Sequence, residues 1–167
     1  GRSLILGRRR LMQGEWINQA QIELSRATQG ELGPERLAQQ LLRVLADRIG
    51  ARAAVAYARD GSGHARLAHW GVDAAALSDR VTEGEGHLGR AIAEARPLHL
   101  ALPADQALGW ASGLARGRAA HVLIVPLRDG QSVNGVLEFG LDGPPDDRVT
   151  ELFDRIADRL GIALRSA

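Results

Sequence analysis

Gly84-Glu85-Gly86-His87-Leu88-Gly89 is the stretch on which the fold turns, because its G-x-G-x-x-G spacing has two opposed readings. In a dinucleotide fold such glycines close a tight turn and bring a pyrophosphate to a helix N-terminus. That reading requires an apolar strand just before the run and an acid about 20 residues after it. Asp105 stands at a suitable distance, but Ser78-Asp79-Arg80-Val81-Thr82-Glu83 is polar, and Glu83 and Glu85 would repel a diphosphate. The competing reading is a glycine-rich turn that enters a short amphipathic helix over His87 to Ala95, with Leu88 and Ile92 facing inward. On that reading the glycines shape the backbone, and any ligand lies elsewhere.

The flanks set the class. Upstream, Arg8 to Thr28 reads as a helix in which Ile17, Ala20, Leu24 and Ala27 follow a 3-4-3 spacing, a short a/d seam suited to a dimer. Pro34 opens a second helix whose stripe is Leu37, Leu41, Val44, Leu45 and Ile49, with Gly50 as its stop. Ala53 to Arg59 and His64 to Val72 form a hairpin about Asp60-Gly61-Ser62-Gly63, with Val55 and Tyr57 on one face and alanines on the other. Such a small-residue face admits close helix packing.

Asp73 to Arg80 reads as a short helix or an irregular crossing. Downstream of the glycine run, Leu98 to Leu102 is a strand. Pro103 to Gly117 is a connector that carries Leu108, Trp110 and Leu114, the apolar bulk of a pocket wall. His121 to Arg128 and Val133 to Leu141 pair about Asp129-Gly130, and the run Val122–Leu127 is apolar on both faces, as a central covered strand is. Asp146 or Asp147 caps a final helix with the stripe Val149, Leu152, Phe153, Ile156, Leu160, Ala163 and Leu164. Glu151 and Arg155 form an i,i+4 pair beside it. The order predicts an α+β domain: a mostly antiparallel central sheet of five to six strands, with N- and C-terminal helices packed on one face. Residues 1–32 read as a linker or signalling helix and residues 33–167 as the domain proper.

Composition excludes several functions. The 21 Lys+Arg residues are all arginine, and the net charge of +1 gives no nucleic-acid or membrane footprint. With no cysteine, disulfides, cysteine-ligated zinc, thiolate nucleophiles and thioether-tethered chromophores are closed to the chain. Ser3-Leu4-Ile5-Leu6-Gly7 is far too short for a membrane span. The chain reads as a cytoplasmic segment of a larger protein, one class of which is the cytoplasmic part of a membrane-anchored receptor.

A family resemblance rests on three segments in register. Gly84 to Leu98 looks like the "GEGLVGRAAREGRPL" segment of GAF domains. Val125-Pro126-Leu127 with Val133 to Phe139 resembles their "VPL…G.VIGVLEL" hairpin. Leu152-Phe153 and Ala157 to Leu164 are similar to their terminal helix. A narrower resemblance, through Trp16-Ile17, Glu23-Leu24, Pro103-Ala104-Asp105 and Ser112-Gly113-Leu114, is to GAF domains between a HAMP linker and a histidine-kinase core. The resemblance implies a GAF/PAS-like sensory domain of a bacterial two-component system, with a HAMP-like module upstream, an output domain downstream and homodimerisation through the terminal helices.

The resemblance also tests known chemistries. Bilin-binding members and free methionine sulfoxide reductases of this fold use cysteines, so neither is expected here. Cyclic-nucleotide binders carry an asparagine-lysine pattern, which a lysine-free chain lacks. Haem is not expected, although His64, His69, His87, His99 and His121 are ligands in principle, and no metal site is read. With no nucleophile elbow and no carboxylate pair in an obvious cleft, the domain is expected to be non-catalytic. Its expected ligand-binding residues are Tyr57, Trp70, His99, Leu108, Trp110 and Leu114, and its cofactor is unknown. The alternatives are a ligand-free dimerising spacer and, resting on the glycine spacing alone, a dinucleotide enzyme. Arg90 is read either as an anchor for an acidic ligand or as half of a structural ion pair, and Glu138 as a common family position.

Overall fold

The structure is a computed structural model that describes residues 2–103 and 120–167. In chain order its elements are α1 (Arg2–Ala27), α2 (Pro34–Ile49), β1 (Ala53–Asp60), β2 (Gly63–Trp70), a 3-10 turn (Ala74–Ala76), β3 (Arg80–Thr82), α3 (Gly86–Glu94), β4 (Leu98–Leu102), β5 (Ala120–Asp129), β6 (Ser132–Leu141) and α4 (Asp147–Ser166). The six strands form one sheet in the order β3-β2-β1-β6-β5-β4, and each neighbouring pair is antiparallel. The expected α+β class, with terminal helices on one face, holds.

Local chemistry explains where the helices stop and start. Pro34 stands at the start of α2, and Gly50 closes it in the left-handed conformation at φ 71°. Asp146 caps α4 by accepting the Val149 amide at 3.1 Å, and Glu151 meets Arg155 at 2.8 Å one turn further on.

Strand alternation divides the buried residues into two cores. The first lies between the sheet and α1, α2 and α4: Ala54, Ala56, Leu123, Val125, Leu137 and Phe139 meet Ile17, Leu41, Leu45, Leu152 and Phe153. Phe139 and Phe153 tilt against each other at 5.4 Å, which ties β6 to α4. The alanine face of β1 lies here, under the helices. The second core lies on the opposite face, where Val55, Tyr57, Val122, Ile124 and Val136 are covered by Ile92 and Ala91 of α3 and by Val81.

The structure corrects several expectations. The helix expected from Arg8 begins at Arg2, and the crossing over Asp73 to Arg80 contains the 3-10 turn and the start of β3. A strand therefore does precede the glycine run, but it is three residues long and lies at the edge of the sheet. β5 is covered on both faces as expected, yet β1 and β6 hold the centre while β5 is second from the edge. The seam Ile17, Ala20, Leu24 and Ala27 is turned into the chain's own core, with Ile17 and Ala20 at 0% exposure. Their apolar surface is already used within one chain. The large apolar side chains that α1 leaves in solvent are Leu4, Ile5, Leu6, Leu11, Met12 and Ile22, the first five in its N-terminal half.

Candidate functional site

The glycine run is a backbone device. Gly84 and Gly86 adopt φ of 84° and 64°, a region that side-chain-bearing residues avoid. A Cβ on Gly89 would lie 2.3 Å from the Thr82 carbonyl oxygen, so only glycine lets α3 sit this close to β3. Three of the run's amides are also engaged: Gly84 donates to the Gly89 carbonyl at 2.8 Å, Glu85 to Thr82 at 3.1 Å, and Gly89 to Glu85 at 3.0 Å. Those three amides are not free to cradle a phosphate. The run instead presents Gly86, His87 and Leu88 to a cavity.

That cavity has a volume of about 260 Å³ and lies on the sheet face away from α1, α2 and α4. Tyr57 of β1, Val122 of β5 and Glu138 of β6 form its floor, and Leu100 and Leu102 of β4 form one side. Ala76, Leu77 and Ser78, from the segment between β2 and β3, form another wall. Apolar walls with a few convergent polar groups are what small-molecule sites present.

A β-bulge helps hold that wall. Ala56 pairs with Ala68 but Tyr57 pairs with Arg66, so Leu67 is the extra residue and Arg66 is moved to the cavity face. From there Arg66 donates to the Leu77 and Ser78 carbonyls at 3.3 and 3.2 Å and pairs with Asp79 at 3.1 Å. One guanidinium thus fixes the orientation of the connector.

Two polar side chains mark the floor. Glu138 is only 4% exposed, and no salt bridge or hydrogen bond reaches its carboxylate among the described residues. Burial pushes its pKa up to about 7. Tyr57, 1% exposed, donates to the Ser78 carbonyl at 3.4 Å. Burial, and then the nearby Glu138 charge, pushes its phenol up to about 12.

Of the expected ligand-binding residues that the structure describes, Tyr57 alone lines this cavity. Trp70 packs against the core on the helix side, because its strand partner Ala54 faces the helices. His99 pairs with Leu123, which also faces the helices, and its Nε2 lies 3.0 Å from Nδ1 of His121 in a stacked pair. Leu108, Trp110 and Leu114 lie outside the described residues. The alternate residues of β4, Leu100 and Leu102, supply the wall where His99 was expected. Arg90 pairs with Glu94 at 3.6 Å and does not line the cavity.

The remaining histidines are scattered. His69 Nδ1 is 3.0 Å from the Val72 carbonyl, and His87 is exposed at the cavity mouth. No hydrogen bond of ordinary geometry reaches either ring nitrogen of His64, 4% exposed, among the described residues, although the Val133 backbone is near enough to hold its pKa up in part. It lines a separate polar cleft with Arg59, Glu83 and Ser132. Burial, followed by the Arg59 charge, lowers its pKa. Among the described residues no group of three His, Cys, Asp or Glu side chains could hold a metal, and no helix is long and apolar enough to cross a membrane.

A GAF-domain family model matches residues 31–165. The chain belongs to the GAF domain family. The solved structures it resembles include the GAF domain of a phosphoenolpyruvate-protein phosphotransferase from Coxiella burnetii, at TM-score 0.70 and 14% identity over 93% of this chain and 94% of that one. A GAF domain of A. aeolicus in an inactive state matches at TM-score 0.66 and 18% identity, over 94% and 98%. A free methionine-R-sulfoxide reductase from Neisseria meningitidis, in complex with its substrate, matches at 0.65 and 19%, over 92% and 90%. A comparison with curated proteins gave no match.

The last structure corrects the expectation of a non-catalytic domain. That expectation rested on the lack of a nucleophile elbow and of a carboxylate pair in an obvious cleft, yet an enzyme is among the structures the chain resembles. At these identities the likeness establishes the fold and not the activity.

Proposed function

We propose that this GAF domain is a sensory and signal-relay module of a bacterial signalling protein. It binds a small molecule in the Tyr57–Glu138 cavity and transmits the bound state to α1 and α4. The observation that carries this reading is the sheet itself: cavity residues and helix-contacting residues alternate along the same strands. Val122 faces the cavity and Leu123 the helices, and Glu138 stands between Leu137 and Phe139. A shift of β5 or β6 on the cavity side is therefore felt by the packing of α4.

The finer assignment is to a histidine kinase, with a HAMP-like module before α1 and an output domain after α4. It is supported by the subgroup resemblance and by how its marker residues are used: Arg148 stacks on Trp16 at 4.5 Å, and Glu23 pairs with Arg48 at 2.8 Å. These contacts bind α1 to α4 and to α2, as a helix that transmits displacement requires. The exposed Leu4, Ile5, Leu6, Leu11 and Met12 favour a dimer through the first half of α1. That feature also supports the second reading, a dimerising spacer without a ligand.

Hydrogen exchange separates the two. A cavity-binding compound from a metabolite library should change protection at least threefold in residues 17–27 and 149–164, remote from the cavity. Binding that leaves both segments unchanged would eliminate the relay.

A further inference from the structure

We infer that the cavity's ligand is a small cationic nitrogen compound, an amine or amidine with a short apolar body, held by the Glu138 carboxylate. The inference rests on the cavity being the ligand site, as proposed above, and names the ligand's chemistry. A carboxylate left 4% exposed and unpartnered among the described residues is a costly arrangement, usually relieved by a partner charge. The cavity it lines can admit that partner.

The other floor and wall groups agree. The Tyr57 hydroxyl uses its proton on the Ser78 carbonyl, which leaves its oxygen as an acceptor towards the cavity. Among the described residues no arginine lines the cavity, and its one basic side chain, His87, stands at the mouth and not on the floor beside Glu138. Leu77, Leu88, Leu100, Leu102 and Val122 fit a short hydrocarbon body. The volume of about 260 Å³ holds roughly eight water-sized groups.

Among the described residues, charged and titratable groups around Glu138 are few. Tyr57 titrates far above neutrality, Arg66 and Asp79 are paired with each other beside it, and His87 stands at the mouth. The remaining described lining residues, from β4, β5 and the connector, do not titrate.

The test uses three probes with one hydrocarbon body: 3-methylbutylamine, 3-methylbutan-1-ol and 3-methylbutanoate. Each is titrated into the whole chain while the amide signals of Tyr57, Leu88 and Leu100 are followed by NMR. The amine should bind at least tenfold more tightly than the alcohol, and the carboxylate should bind more weakly than either. Glu138→Gln should bring amine and alcohol to within about twofold. Amine affinity should rise roughly tenfold from pH 6 to pH 8, the ratio of ionised fractions for a group that titrates at about 7. His87→Gln should keep that rise, which separates the carboxylate from the imidazole. If the alcohol or carboxylate binds as tightly as the amine, or if Glu138→Gln keeps the preference, the cationic class is wrong while the cavity stands as a site. If no probe shifts the cavity amides, the inference fails and the relay reading is judged by its hydrogen-exchange test.

Discussion

Glu138→Gln should stabilise the unliganded protein by about 3 kcal/mol at pH 8 and by little at pH 5. The cause is the burial that raises this carboxyl from 4.5 to about 7. In the unfolded chain the group ionises near 4.5; in the folded chain it keeps its proton until about 7. The folded state therefore binds the proton more tightly, and its stability falls as pH rises between those two values. Above about 7 the whole penalty is present. Glutamine keeps the shape and cannot ionise, so the penalty disappears. Urea denaturation of both proteins at pH 5 and pH 8 measures it. Equal stability differences at the two pH values would mean that the carboxylate has a partner in the folded state.

The second large effect is of opposite sign. Gly161→Ala should destabilise by on the order of 3 kcal/mol, although alanine is the better helix former by about 1 kcal/mol. A Cβ at this position would lie 2.3 Å from the Arg128 carbonyl oxygen and 2.7 and 2.9 Å from its carbon and nitrogen. These are backbone atoms of β5, held in the ladder with β6, and they cannot yield without breaking strand pairing. The helix would have to lift from the sheet. Gly14→Ala in α1 is the matched control, since nothing lies within 4 Å of its Cβ position. It should stabilise by up to about 1 kcal/mol. Thermal unfolding of the two variants reads both signs. Two losses, or two gains, would remove the packing argument.

The architecture could be read from residues because its signals are local and periodic. Pro34, Gly50 and Asp146 mark helix ends for steric and hydrogen-bonding reasons that hold in any context. The stripes in α2 and α4 and the two hairpins follow from apolar spacing. The role of the glycine run was legible too, because Glu83, Glu85 and the polar Ser78–Glu83 segment argued against a phosphate.

The site was less legible. Trp70 and His99 attracted attention as residue types, but the face on which each lies depends on register. One step along β4 separates His99, towards the helix side, from Leu98 and Leu100 on the cavity side. The bulge that turns Arg66 towards the cavity has no residue signature of its own. Glu138 did carry a signal: an acid inside the apolar run Val136–Phe139, in a strand that neighbours two others. In the sequence it stands as a common family position, and the burial that makes it chemically unusual comes from its neighbours across the sheet. The a/d seam in α1 shows the converse, since a heptad-like spacing serves equally well for packing on the chain's own helices.

On the proposed function, this domain senses a small molecule in the cavity between Tyr57, Leu100 and Glu138. Leu100→Trp fills the cavity from an edge strand, where the larger side chain can be accommodated without rebuilding the interior. Thermal-shift screening of a metabolite library against the wild-type protein and this variant is the direct test. Compounds are expected that raise the wild-type melting temperature by several degrees and leave the filled variant unchanged. Compounds that stabilise both proteins equally would place binding elsewhere and contradict that proposal.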